Sequence, residues 1–439
     1  MHKAISINIR NIIFIAIRIK KSISCLPFKM THMVFKSSQK YEAETQNENA
    51  GALIIQATHL VNELPIGVCE VKDSKQLHQF IHLPAAIHKN HFNWVPPIYM
   101  DEQEFFNPKK NKSFEACDTI LLLAIKRKEV VGRIMGIIHH TYNADHNEKH
   151  GRFAFFETWN DMEVATALLR SVEKWTKERG MVKLIGPLAF SDKDPQGILI
   201  EGFDEPAVIA SNCNFPYQVD LVEKNNYSKE RDLVVYQIKI PNPIPEFYLK
   251  IQERAIRMNA GLRILEFSSR RKVKPYIHPV LHLLNRTFTE IYGFVPFSEA
   301  EMDDFANRYL FMINPRFIKI VVTPKDEVVA FVIGMGHIGE GIQKAKGRLL
   351  PFGIFQILRS AKKSKQLNLL LGGIDPDYRG KGLDVMMGVK MLESAIAQGK
   401  TTIDSHLELE HNTKVRAEME KMGGIVYKRF RIFGKNLGE

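Results

Sequence analysis

Cysteine is scarce. Cys25, Cys69, Cys117 and Cys213 are the four in 439 residues, with no CxxC pair and no histidine at a spacing suited to zinc. A disulfide scaffold and a zinc module are both set aside, and reduced thiols in a cytoplasmic protein are expected, with no metal. A spanning segment is lacking at the start, where the apolar run Ile12–Ile17 lies between Arg10 and Arg18 and is too short to cross a bilayer. No A-x-A pattern follows, so a secretory signal is not expected, and Met30 or Met33 serves as well as Met1 for a start. Acid is absent from residues 1–40, which carry Lys3, Arg10, Arg18, Lys20, Lys21, Lys29, Lys36 and Lys40. The net charge of +12 (61 Lys and Arg against 49 Asp and Glu) therefore falls to +4 beyond that tail. Such a balance gives little support to a nucleic-acid partner, and none is expected. Residues 1–65 are read as a basic extension, disordered or an over-called start.

What remains has the composition of a globular protein, 45% hydrophobic and 25% charged, with enough chain for two cores. It also says the same thing twice. "LLLAIKRKEVVGRIMGII" (121–138) and "KIVVTPKDEVVAFVIGMGHI" (319–338) each read as strand, charged turn, strand, and align on Glu129 and Glu327. A strand-then-helix pattern precedes each, from Ile66 and from Gly261, and similar segments close each half at 221–240 and 418–437. Three features in one order at a common offset indicate duplicated domains, 66–240 and 262–439. The Pro-rich "IPNPIPE" and a helix (241–261) join them. Each half carries one amphipathic helix, with Val164, Leu168, Val172 and Trp175 on one face in the first and Val385, Val389, Leu392 and Ile396 in the second. Hairpins mixed with strand–helix alternation place the fold in the α/β class, α+β with mixed sheets.

The chemistry concentrates in "IDPDYRGKGL" (374–383), between the apolar run "LNLLLGG" and the helix "DVMMGVKMLESAIAQGK". A strand, then Arg-Gly-Lys-Gly, then a helix presents free backbone N–H groups at a positive helix end, and glycine keeps side chains from holding an anion off them. The turn suits a pyrophosphate, is too short for a P-loop, and reads alternatively as a tight connection with a solvated lysine. It resembles the coenzyme-A pyrophosphate loop of the GNAT acyltransferase superfamily, Arg/Gln-x-x-Gly-x-Gly/Ala after the fourth strand. The following strand "TTIDSHLELE" (401–410) and the Asn-led "HNTKVRAEMEKMGG" (411–424) resemble that family's next strand and helix. Residues 66–240 resemble a GNAT repeat in outline without such a loop. "NWVPPIYMDE" and "GRFAFFETWND" resemble a bacterial group of tandem GNAT-like proteins, some thought to N-acylate long-chain, sphingoid bases.

The resemblance implies an acyl-CoA co-substrate. The amides of Arg379, Gly380, Lys381, Gly382 and Leu383 would hold its pyrophosphate, and Gly373 and Ile374 would pair with the pantetheine arm, one N–H polarising the thioester carbonyl. Asn412 is a helix cap that would also touch the coenzyme, or a cap alone. If 401–410 is one strand, Asp404, His406, Glu408 and Glu410 share a face. An ammonium acceptor must lose a proton before attacking a thioester, so Glu408, then His406, with Glu410 beside them, are the candidate bases. The plain alternative is the solvated face of a half-buried strand. The family often places a Tyr, as general acid, four residues before the helix glycine; here Met419 precedes Gly423.

"GMGHIG" (334–339) spells a dinucleotide fingerprint, but no acid follows about twenty residues on, so it is not taken as a nucleotide site. The basic segment 342–366 has an apolar centre and is either an ordinary packed helix or a stretch lying on an anionic membrane or over a greasy channel. The expected activity is transfer of an acyl group from acyl-CoA to an amine-bearing small molecule or lipid. Aminoacyl-tRNA-dependent transfer and non-catalytic acyl-CoA binding are the alternatives.

Overall fold

The computed structural model describes residues 66–209 and 211–438, so the expectations for 1–65 lie outside the described residues. The strands are, in chain order, β1 (Gly67–Glu70), β2 (Cys117–Lys126), β3 (Glu129–His139), β4 (His150–Thr158), β5 (Lys183–Gly186), β6 (Ile198–Glu201) and β7 (Ser228–Lys239). They continue as β8 (Arg263–Glu266), β9 (Ile318–Val322), β10 (Val328–Gly336), β11 (Gln366–Ile374), β12 (Thr402–Asp404), β13 (Glu408–Leu409) and β14 (Ile425–Asn436). They form one mixed sheet in the order β1-β2-β3-β4-β5-β14-β7-β12-β11-β10-β9-β8, with β6 on β14 and β13 on β7.

That order is a palindrome of two halves. The echoed sequences are the antiparallel hairpins β2–β3 and β9–β10, and each half continues into a parallel pair, β4–β5 and β11–β12. The halves then exchange their last long strands. β14 lies between β5 and β7, while β7 lies between β14 and β12. Each exchanged strand buries apolar residues, Leu233, Val234, Val235 and Tyr236 on β7 and Phe430, Ile432 and Phe433 on β14. The central strands thus tie the halves through one hydrogen-bonded ladder.

Helices cover both faces. Val164, Leu168, Val172 and Trp175 of Met162–Lys177 are buried as the periodicity predicts. In Leu383–Ala397 the buried set is Leu383, Met386, Met387, Val389, Met391, Leu392 and Ala395; Val389 and Leu392 are as expected, whereas Val385 and Ile396 are only half-buried. Helix Glu246–Met258, which follows the Pro-rich joint, packs on its outer side, with Gln252 Nε2 donating to the Met386 carbonyl. The segment 342–366 forms two short helices, Gly339–Ala345 and Gly353–Lys363, separated by a turn through Pro351. Gly336 of "GMGHIG" and Gly341 just after it serve this packing: a Cβ on Gly336 would meet the Ala361 carbonyl at 2.1 Å, and one on Gly341 the Ile357 Cα at 2.6 Å. Cys69, Cys117 and Cys213 are free thiols. Among the described residues no helix is long and apolar enough to cross a membrane.

Candidate active site

β11 and β12 pair only over Gln366–Thr402, Leu367–Ile403 and Asn368–Asp404. Beyond Asn368 the strands diverge: β11 runs on to Ile374 paired with β10 alone, and the chain after β12 turns toward β7. The Leu369–Ile374 edge, Gly373 and Ile374 included, therefore offers backbone groups to the gap, which leads up to the glycine turn.

Within the turn, Asp375 caps a short 3-10 turn by accepting from the Asp377 amide and pairs with Arg286 at 2.9 Å. Gly380 and Gly382 hold left-handed backbone, φ +73° and +80°. Their reasons differ. A Cβ on Gly380 would meet nothing within 4 Å, so that position is open, whereas one on Gly382 would strike Ala255 Cβ at 2.8 Å. Asn259 Nδ2 also donates to the Lys381 carbonyl at 2.8 Å, so the joining helix braces the turn. Gly382 is the N-cap of Leu383–Ala397 and supplies no capping side chain. Among the described residues, the amides of Gly380, Lys381 and Gly382 have no internal acceptor, as befits a helix start awaiting an anion. Arg379 and Lys381 are exposed there, Arg379 Nε reaching back to the Ile374 carbonyl and Lys381 Nζ lying 4.6 Å from the Tyr378 ring centre.

The strand expected over 401–410 is broken. β12 stops at Asp404, His406 adopts φ +63°, and β13 resumes at Glu408. Alternation therefore fails after Asp404, and the four polar residues do not share a face. Asp404 is fully buried, accepting from the His406 amide and from the Tyr427 hydroxyl. His406 Nδ1 accepts from the Leu407 amide at 2.8 Å. Burial holds its pKa down. Glu410 joins a surface ion cluster with Lys229 at 2.5 Å and Arg429 at 2.8 Å, and the Lys229 hydrogen bond holds its carboxyl below the usual range.

Glu408 differs from both. It is half-buried on β13, opposite Val234 of β7, and burial lifts its carboxyl to about 8, with the Glu418 charge acting in the same direction. Glu418 in turn feels Asp384 in the first turn of the helix behind the glycine loop. Carboxylates thus lead from the loop to Glu408. Cross-strand pairing puts Glu408 on the same face as Val234 and Tyr236. The Tyr236 hydroxyl donates to Glu420 Oε1 at 2.7 Å and accepts from Arg416 Nε at 2.9 Å, both on helix Thr413–Lys421. Asn412 caps that helix by accepting from the Val415 amide at 3.5 Å, and Met419 packs into the core beside Ile238 and Leu367. Sequence reasoning missed Tyr236, Ala255 and Asn259 because each reaches the site from outside its own motif. Open depressions among the described residues around His140–Val182 and around Lys183 and Glu230 touch neither the turn nor Glu408.

The first half is built alike and closed. Beyond Arg152 its β4–β5 gap is filled by the chain itself: the Leu188 amide donates to the Phe153 carbonyl, Gln218 Nε2 to Phe156, and Tyr217 to Thr158. Its helix starts at Asp161, whose carboxylate takes the Glu163 and Val164 amides. An acid stands where an anion would bind.

No protein-family model matches the chain. The superposition on the tandem GNAT protein from the clavulanic acid biosynthesis pathway, TM-score 0.50 at 11% identity over 85% of this chain and 99% of that one, gives the class: a tandem GNAT fold. By sequence, the chain is 28% identical over 379 residues to the bacterial ceramide synthase of Caulobacter vibrioides, covering 85% of this chain and 98% of that protein. It is 24% identical over 371 residues to protein YghO of Escherichia coli, covering 83% and 94%.

Proposed function

We propose that the protein is an N-acyltransferase that moves an acyl group from acyl-CoA to the amine of a long-chain lipid base. The observation that carries the reading is the open Gly380 turn at the end of a strand edge left free by divergence of β11 and β12. The acyl-CoA pyrophosphate would take the amides of Gly380 to Leu383, with Arg379 and Lys381 adding charge, and the pantetheine would follow the Leu369–Ile374 edge. The long-chain acceptor rests on the likeness to a ceramide synthase, since a ceramide is an N-acylated long-chain amino alcohol. In the reaction, Glu408 in its ionised form takes a proton from the ammonium. The neutral amine attacks the thioester carbonyl, and a β11 N–H stabilises the oxyanion. The C–N bond forms, the C–S bond breaks, and the nitrogen's second proton passes to water, which returns a proton to the Tyr236 oxygen once that hydroxyl has protonated the thiolate. The Tyr236 hydroxyl, oriented by Arg416 and Glu420, protonates the leaving thiolate in place of the residue that Met419 does not supply. Residues 66–240 and 262–439 are the two repeats, with coenzyme binding in the second.

The test is turnover of palmitoyl-CoA with sphinganine by the full chain, read as free thiol and as N-acyl product. Product formation that falls about 10³-fold in Glu408→Gln supports the reading. Tight acyl-CoA binding with no amide product overturns it in favour of a binding protein.

A further inference from the structure

The acidless stretch from Gly341 to Ile374 carries Lys344, Lys346, Arg348, Arg359, Lys362, Lys363 and Lys365. Its two helices do not bury all their apolar residues. Ile342, Leu349 and Ile357 pack inward, into a core that also includes Leu370 and Leu371 of β11. Leu350, Phe352 and Phe355 point outward, 56%, 70% and 67% exposed. On helix Gly353–Lys363 the exposed Phe355, Arg359, Lys362 and Lys363 follow the helical repeat, aromatic at the start and cationic at the end.

A second segment joins this face. Gln343 Nε2 donates to the carbonyls of Phe92 and Trp94, at 2.9 and 2.8 Å, and a Cβ on Gly347 would press on Tyr99 and Pro97. Phe92, held there, is 89% exposed, more than any other large apolar side chain described, and Met100 is also exposed. Large aromatics left in water beside a row of cations suit neither a solvated surface nor self-association. A second copy would bring like charges together, whereas anionic lipid offers both opposite charge and an apolar layer.

We propose that Phe92, Leu350, Phe352 and Phe355, flanked by the Lys344–Lys365 cations, dock the protein on an anionic lipid bilayer. The aromatics enter the acyl boundary and the cations meet phosphate headgroups. This goes beyond the acyl-transfer reading but agrees with it, because the docked helices pack on the core beside the coenzyme strand.

Flotation of the full chain with phosphatidylcholine vesicles, with and without 30% phosphatidylglycerol, tests it. The wild type is expected to float with the anionic vesicles and to stay in solution with pure phosphatidylcholine. Phe352→Ser/Phe355→Ser and Lys362→Glu/Lys363→Glu are each expected to lower partitioning about tenfold or more at an unchanged melting temperature. Both variants retain the basic residues of 1–40, so variants that float as the wild type does, showing that the tail carries the binding, overturn the proposal. Equal binding to neutral vesicles, or none to anionic ones, also overturns it. Acylation of a water-soluble amine reads the active site separately: its absence with vesicle docking intact counts against the acyl-transfer reading alone.

Discussion

The two halves share a strand order and differ in the gap between their parallel strands. In the first half, the segment after β5 and the side chains of Gln218 and Tyr217 hydrogen-bond the freed β4 carbonyls, and Glu157 accepts from Gln218 and contacts His88 at 3.2 Å. In the second half, among the described residues, no strand pairs β11 on that side beyond Asn368. The helix starts differ in the same sense, Asp161 occupying its own amides and Gly382 leaving its amides free. The first half, with its gap filled, lends β7 to the second. Backbone groups must be paired somewhere. A gap filled by the chain is satisfied from within, and one left open can be paired by a ligand.

Four changes would break or sharpen that contrast. The largest effect is expected at Glu408. Glu408→Gln should lower kcat about 10³-fold while leaving acyl-CoA affinity unchanged, a split that separates proton removal from binding. The same group sets pH dependence. Its folded pKa of about 8 lies above the ordinary carboxylate value, so its neutral form is favoured in the fold. It therefore contributes stability below about pH 4.5 that is lost progressively as pH rises to 8. Melting temperatures should show Glu408→Gln relieving that loss at pH 8 and making little difference at pH 4.5, and wild-type kcat/KM should rise through about pH 8.

Next in size, Gly380→Asp should weaken acyl-CoA binding about 100-fold in calorimetry, by placing a like charge against the pyrophosphate. Because that position is open, the cost to the fold is about 1–2 kcal/mol of left-handed backbone. Gly382→Ala is the poorer probe, since it would push Ala255 and unsettle the joining helix. Tyr236→Phe should lower kcat about tenfold with KM unchanged, and rescue by a lower-pKa thioester leaving group would identify the lost proton donor. Smallest is Asp161→Ala in the first half: about 1 kcal/mol of helix capping lost in thermal unfolding, and no change in acyl-CoA affinity.

Much of this was legible in order but not in space. The repeated hairpins, the glycine turn and the Asn412 cap are local, encoded by residues a few positions apart, and they appear where periodicity and turn chemistry put them. The exchange of β7 and β14 is not local, because nothing in either strand names its neighbour across some 200 residues. The broken strand is a subtler miss. "TTIDSHLELE" alternates as a strand should, but Asp404 is buried against Tyr427 and takes the His406 amide, His406 Nδ1 takes the Leu407 amide, and His406 adopts a left-handed backbone. That break separates Glu408 from Asp404 and His406, while Glu410, beyond it and still paired along β7, is drawn into the ion cluster with Lys229 and Arg429. Tyr236 was invisible for the opposite reason: it lies in an unremarkable apolar run, and only the exchanged sheet carries it to helix Thr413–Lys421.

The most direct measurement is the stoichiometry of acyl-CoA binding by calorimetry, on the wild type, Gly380→Asp and Asp161→Ala. The account predicts one site per chain, unchanged in Asp161→Ala and weakened about 100-fold in Gly380→Asp. Two sites per chain, or one whose affinity is unchanged in Gly380→Asp, would contradict the division between an open half and a closed one.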